Sequence, residues 1–157
     1  MGGGLGATSL YACFKFMVKI LFTIVLFSLI VFPQQNSKAN KLEIDKKTFV
    51  DLESFKIKAK FKKDPSLYYS GAPSEQIRIK AEISLNKLVD NLILNIKSNP
   101  NKNYILKQFK IMLEDFNDYD SEEKDRICSY CEEIMDIFKI ESSDGLLMEW
   151  RYGFKIQ

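Results

Sequence analysis

The chain has 157 residues, 46% of them hydrophobic and 28% charged, a balance found in folded domains rather than in disordered chains. With 23 basic against 21 acidic side chains it lacks the concentrated cationic charge that drives binding to phosphate backbones, so nucleic acid is set aside as a partner. Histidine is absent, which excludes serine and cysteine triads of the usual kind and removes the commonest metal ligand, and no cofactor is expected.

Met1 to Phe16, with Gly2, Gly3, Gly4 and Gly6, reads as an upstream extension, because Met17-Val18-Lys19 is itself a natural start. From Ile20 to Phe32 the chain is uncharged and apolar, entered by Lys19 and left through Pro33-Gln34-Gln35. A helix of that run spans roughly 20 Å, short of a ~30 Å hydrocarbon core, so residues 17–39 are expected to be a signal peptide with Ser37 and Ala39 as the small residues before the cut. The alternative is an uncleaved anchor holding the protein at the inner membrane by residues 20–32. Cys13 precedes the apolar run and so is no lipoprotein cysteine. Cutting after Ala39 would leave residues 40–157 as one domain. Loss of Lys15, Lys19 and Lys38 would take three cations from 23 and leave that domain close to neutral.

In the mature part, Phe49, Val50, Leu52 and Phe55 predict a first helix from about residue 45 to Lys58, although the alternation FKIKAKF from Phe55 to Phe61 suits an extended segment equally well. Asp64-Pro65 and Ser70-Gly71-Ala72-Pro73 bound an ordered loop. Ser74 should cap a long second helix in which Ile77, Ala81, Leu85, Leu88, Leu92 and Ile96 form the apolar stripe, widened by Ile83, Val89 and Ile93. Asn99 as cap with Pro100 at the first helical position predicts a third helix carrying Tyr104, Ile105, Phe109, Met112, Leu113 and Phe116. Asp120 and Glu123 have capping-box spacing before a fourth helix with Ile127, Cys131, Ile134, Met135 and Phe138. Ser142-Ser143-Asp144-Gly145 breaks it, and Leu146, Leu147, Trp150 and Phe154 fit one or two closing turns. The expected fold is all-α: an antiparallel bundle of four main helices and a short C-terminal helix, behind the signal-peptide helix.

Three constellations invite chemistry. Cys128-Ser129-Tyr130-Cys131 is a C-x-x-C, but it lies about two turns inside a predicted helix, where the dipole cannot activate the first thiol, and two ligands without histidine cannot close a zinc site. Two partly buried core cysteines are expected, with a disulfide as the competing reading. The acidic run from Glu114 to Asp125 lacks the glycine and the closing glutamate of a calcium loop and is better explained by helix capping. Lys56, Lys58, Lys60, Lys62 and Lys63, interleaved with Phe55, Ile57 and Phe61, resemble a membrane-surface or partner-binding strip but read first as a solvated helix end.

LYYSGAPSEQIR (Leu67 to Arg78) and IESSDGLLMEWRYGF (Ile140 to Phe154) are the segments by which the chain resembles a family of small bacterial proteins known only as a domain of unknown function, over roughly Phe49 to Phe154. The resemblance implies a bacterial source and a compact helical domain, and brings no activity.

The expected function is therefore non-enzymatic: an envelope protein, periplasmic or secreted, that binds another protein in the manner of an inhibitor or immunity protein. Tyr68, Tyr69, Trp150, Arg151 and Tyr152 are the candidate partner-binding residues, since such side chains concentrate at hot spots, although they read first as packing, a lid on the bundle with the tyrosine loop receiving the last helix. A carboxylate-dependent enzyme would instead have to draw on Glu75, Arg78, Asp144, Glu149 and Arg151. A membrane-tethered structural protein is the third reading.

Overall fold

The computed structural model describes residues 41–154. The upstream extension, the apolar run, Cys13 and the expected cleavage site lie outside the described residues.

Among the described residues five α-helices follow one another: α1 (Lys46–Ile57), α2 (Glu75–Asn95), α3 (Lys102–Leu113), α4 (Ser121–Ile137) and α5 (Leu146–Tyr152), with single 3-10 turns at Pro65–Leu67 and Glu114–Phe116. No strand occurs among the described residues, only two isolated bridges, so the all-α expectation holds. No described helix is long and apolar enough to cross a membrane.

Side chains start the four main helices. Asp45 accepts from the Thr48 amide at 2.8 Å while Thr48 takes the Asp45 amide in return, a capping box closed by threonine. Ser74 caps α2 through the Ile77 amide at 3.2 Å, as expected. The α3 cap is Asn101 rather than Asn99: its side chain accepts from Tyr104 N at 2.9 Å, and Pro100 stands before the cap instead of inside the helix. The shift leaves the Pro100 carbonyl free to accept from Leu42 N at 2.8 Å, which ties the start of the described chain to this corner. Asp120 caps α4 through the amides of Glu122 and Glu123.

Pairings along the helices fix their directions. Asn91 meets Gln108 and Ser84 meets Asp115, so α2 and α3 run antiparallel. Lys97 lies over Phe49 and Lys56 pairs with Asp90, which gives the same relation between α1 and α2. α4 packs on α1, and α5 packs on α3 and α4. Between them lies a core of Leu52, Leu85, Leu92, Ile105, Phe109, Ile127 and Ile134, none with measurable exposure.

Two positions assigned to the apolar stripes face outward instead: Val50 and Ile83 are about half exposed. Each lies at the edge of its helix's buried face, where spacing alone cannot separate boundary from interior. The alternating segment resolves into a helix end at Ile57 and an extended stretch that turns Lys60 and Phe61 inward. Lys60 therefore departs from the solvated-strip reading. Its side chain is fully buried, and the ammonium donates to the Lys56 carbonyl at 3.1 Å, the Lys58 carbonyl at 2.9 Å and Asn86 Oδ1 at 3.0 Å. A cation on the last carbonyls satisfies groups that every helix C-terminus leaves open.

Candidate functional site: the outer edge of α4

α4 has two faces of different character. Its inner face carries Ile127, Cys131, Ile134 and Met135 into the core, together with three polar groups, Glu123, Arg126 and Tyr130. These three join the tyrosine loop into one buried network. Tyr69 donates to Glu123 Oε1 at 3.2 Å, the Phe61 amide donates to the Tyr130 hydroxyl at 2.8 Å, and Arg126 reaches Asp64 at 3.3 Å. The Arg126 guanidinium lies 4.7 Å from the Tyr130 ring centre and 5.7 Å from that of Tyr69, a cation between two aromatic faces. Its Nε is buried without a partner.

Burial pushes the Glu123 carboxyl up to about 7, helped by the neighbouring Asp120 carboxylate, which is itself held low by its bonds to Glu123. Burial and the same glutamate push the Tyr69 phenol well above its usual range. Glu123 thus departs from its capping-box role: its carboxyl meets the Tyr69 hydroxyl and the Asp120 side chain instead of taking the Asp120 backbone amide. Glu123 is buried, so solvent does not reach its carboxyl in this arrangement.

The outer edge is acidic. Glu122, Asp125, Ser129, Glu132 and Asp136 recur at three- and four-residue spacing and fall on one side of the helix. Against this edge α5 builds a groove of about 590 Å³, floored by Met135 and Leu147 and walled by Asp125, Glu132, Arg151 and Tyr152. Arg151 is fixed there by two bonds to the Asp125 carboxylate. A smaller hollow on the other side of Asp125 is bordered by Tyr68, Glu122 and Ser129.

A family model described as Domain of unknown function (DUF4844) matches residues 39–155. The chain belongs to the DUF4844 family. The DUF4844 domain is also similar in fold to the crystal structure of a DUF3571 family protein from Acinetobacter baumannii AYE, at 24% identity and a TM-score of 0.61, over 68% of this chain and 89% of that one. No curated protein matches the chain.

The DUF4844 domain distributes the five candidate residues unevenly. Tyr68 is 97% exposed, held outward in a left-handed conformation that ends the first 3-10 turn, while its neighbour Tyr69 is buried in the network. Tyr152 is half exposed and stacks on Phe154, with ring centres 5.9 Å apart. Arg151 stands in the groove wall, and Trp150 is half-buried, its indole N–H donating to Asn117 Oδ1 at 3.0 Å. The receiver of α5 is therefore α3, α4 and the connection between them, not the tyrosine loop. Tyr68, Arg151 and Tyr152 all border the acidic edge around Asp125.

Of the charged groups of the enzymatic reading, Glu75 and Arg78 bind each other, with Glu82 a second partner of Arg78, while Asp144 binds Lys102 and Arg151 binds Asp125. Both Cys128 and Cys131 are free thiols, and burial pushes Cys128 up to about 11 and Cys131 well above its ordinary value, which keeps them protonated. No three metal-ligating side chains come together among the described residues. Sequence reasoning missed Asp125 and Arg126. The periodicity of Glu122, Asp125, Glu132 and Asp136 was the available signal for the first; nothing in the sequence distinguishes Arg126 from a surface charge.

Proposed function

We propose that this DUF4844 protein is a non-enzymatic binding protein of the bacterial envelope, of the inhibitor or immunity type, that uses the α4–α5 edge to hold a basic surface of another protein. One observation carries the reading: an acidic stripe on α4 is flanked by exposed aromatic side chains, Tyr68 at one end and Tyr152 with Phe154 beside the groove. Aromatic anchors supply contact area at low entropic cost, and like-signed charge around them selects partners of opposite sign and speeds encounter. Export is supported by the short apolar run and the small residues at Ser37 and Ala39.

Affinity capture from bacterial envelope extracts, with the native chain and an Asp125→Lys/Glu132→Lys variant as bait at graded salt, tests the reading. A basic protein retained by the native chain, released by salt and lost with the variant is the expected outcome. Identical proteins on both baits, or none on either, would refute it.

A further inference from the structure

Apart from the α4–α5 groove, with which it shares no lining residue, a second concavity forms where α2 leaves apolar residues uncovered. Ile79 and Ile83 are 44% and 48% exposed and line a groove of about 520 Å³ between α2 and the 3-10 turn after α3, with buried Phe116 at its base. Ile111 of α3, 53% exposed, continues the seam, since it lies between the Ser84–Asp115 and Asn91–Gln108 rungs that join the two helices. Lone exposed isoleucines are ordinary, but a run of them along a concavity marks an interaction surface.

The charges beside the seam specify its sign. Lys80 and Lys87 line the same groove, and neither has an ion-pair partner among the described residues, so both ammonium groups are available to a ligand. Asp115, the groove's one carboxylate, is already engaged by the Ser84 hydroxyl. Lys80 and Lys87 are two helical turns apart, about 10.5 Å along α2, the spacing at which a docked helix repeats a side chain on one face. The ridge of Ile79, Ile83 and Lys87 at four-residue steps is also what a second helix packs against.

We propose that this seam is a docking site for an acidic amphipathic helix of a partner protein, whose apolar stripe lies on Ile79, Ile83 and Ile111 while carboxylates two turns apart meet Lys80 and Lys87. A membrane surface fits less well, because the apolar residues line a concavity and Asp115 would face the lipid phosphates. The seam lies on a different face from the α4–α5 edge, so either site can fail without the other.

The test is fluorescence anisotropy with the full chain and a fluorescein-labelled helical peptide of about four turns in which a leucine stripe is flanked by glutamates, compared with the same peptide carrying glutamines. Saturable binding at least about tenfold tighter for the glutamate peptide is expected, abolished by Lys80→Glu/Lys87→Glu and by Ile79→Ser/Ile83→Ser, and unchanged by Asp125→Lys/Glu132→Lys. These positions are exposed, and thermal melts by circular dichroism check that each variant folds. Equal affinity for the glutamine peptide, indifference to the lysine variant, or no saturable binding overturns the proposal. Sedimentation showing a dimer that Ile79→Ser/Ile83→Ser dissolves and the peptide does not would assign the seam to a second copy. Co-sedimentation with anionic phospholipid vesicles lost in the same variant would assign it to a membrane surface.

Discussion

Lys60 holds the end of α1 against α2 with three hydrogen bonds from one ammonium, all inside the protein. Burial pushes its pKa down, while the carboxylates of Glu82 and Glu133 resist the shift. Lys60→Met keeps most of the volume and strands two helix carbonyls and the Asn86 amide oxygen, at a cost of about 2–4 kcal/mol by urea denaturation, whereas Lys62→Met or Lys63→Met should cost under about 0.5 kcal/mol. Glu123 titrates where physiological pH varies. Its folded pKa of about 7 stands above the 4.5 of an ordinary glutamate, so the protonated form favours the fold. That contribution is complete below about pH 4.5 and is lost as pH rises through 7. The lowered carboxylates Asp45, Asp64, Glu75 and Asp120 act with the opposite sign but at more acid pH. Melting temperature should therefore fall between pH 5 and pH 8 in the native chain and stay nearly flat in Glu123→Gln. Asp120→Asn, which removes the neighbouring charge, should recover part of the loss at pH 8.

Among the helices, α5 is the least self-sufficient. Seven residues are too few to hold a helix in water, so it depends on Leu147 in the core, the Trp150–Asn117 bond and the Arg151–Asp125 pair. Its entry uses two consecutive left-handed residues, Asp144 and Gly145. A methyl at Gly145 would meet no atom within 4 Å, so the roughly 1–2 kcal/mol expected for Gly145→Ala is a backbone cost alone. Arg151→Ala should raise amide hydrogen exchange across residues 146–152 while leaving α2 protected, and it would open the groove that α5 walls. The elements themselves were legible: Ser74, Asp120 and the three- and four-residue spacing of the core residues placed four helices and the break at Gly145. What escaped was direction and depth. A lysine among alternating lysines does not announce that it alone turns inward, and Asn99 and Asn101 flank Pro100 with equal capping chemistry until the contact from Leu42 decides between them. Tyr68 and Tyr69 are adjacent in sequence and opposite in fate, because the left-handed turn at Tyr68 points one ring out as the next goes in.

At the scale of the molecule, near-neutral composition conceals a segregation of charge: carboxylates along α4, unpaired lysines along α2. Net charge gave an expectation against nucleic acid, but sign by face became readable only once the helices were placed. On the two proposals above, the molecule would join a basic surface to an acidic helix. N-terminal sequencing of the protein recovered from its natural host should begin at Asn40; a chain beginning at Met17 would instead favour the tethered reading. Lys41 and Leu42 are already engaged with Asn101 and Pro100 at the corner where α3 begins. If the leader is cut after Ala39, the scissile bond lies two residues from backbone committed to the fold, and a peptidase requires such a stretch extended and accessible. Maturation and folding would then compete for the same few residues, so a variant that folds slowly should lose its leader sooner than the native sequence does.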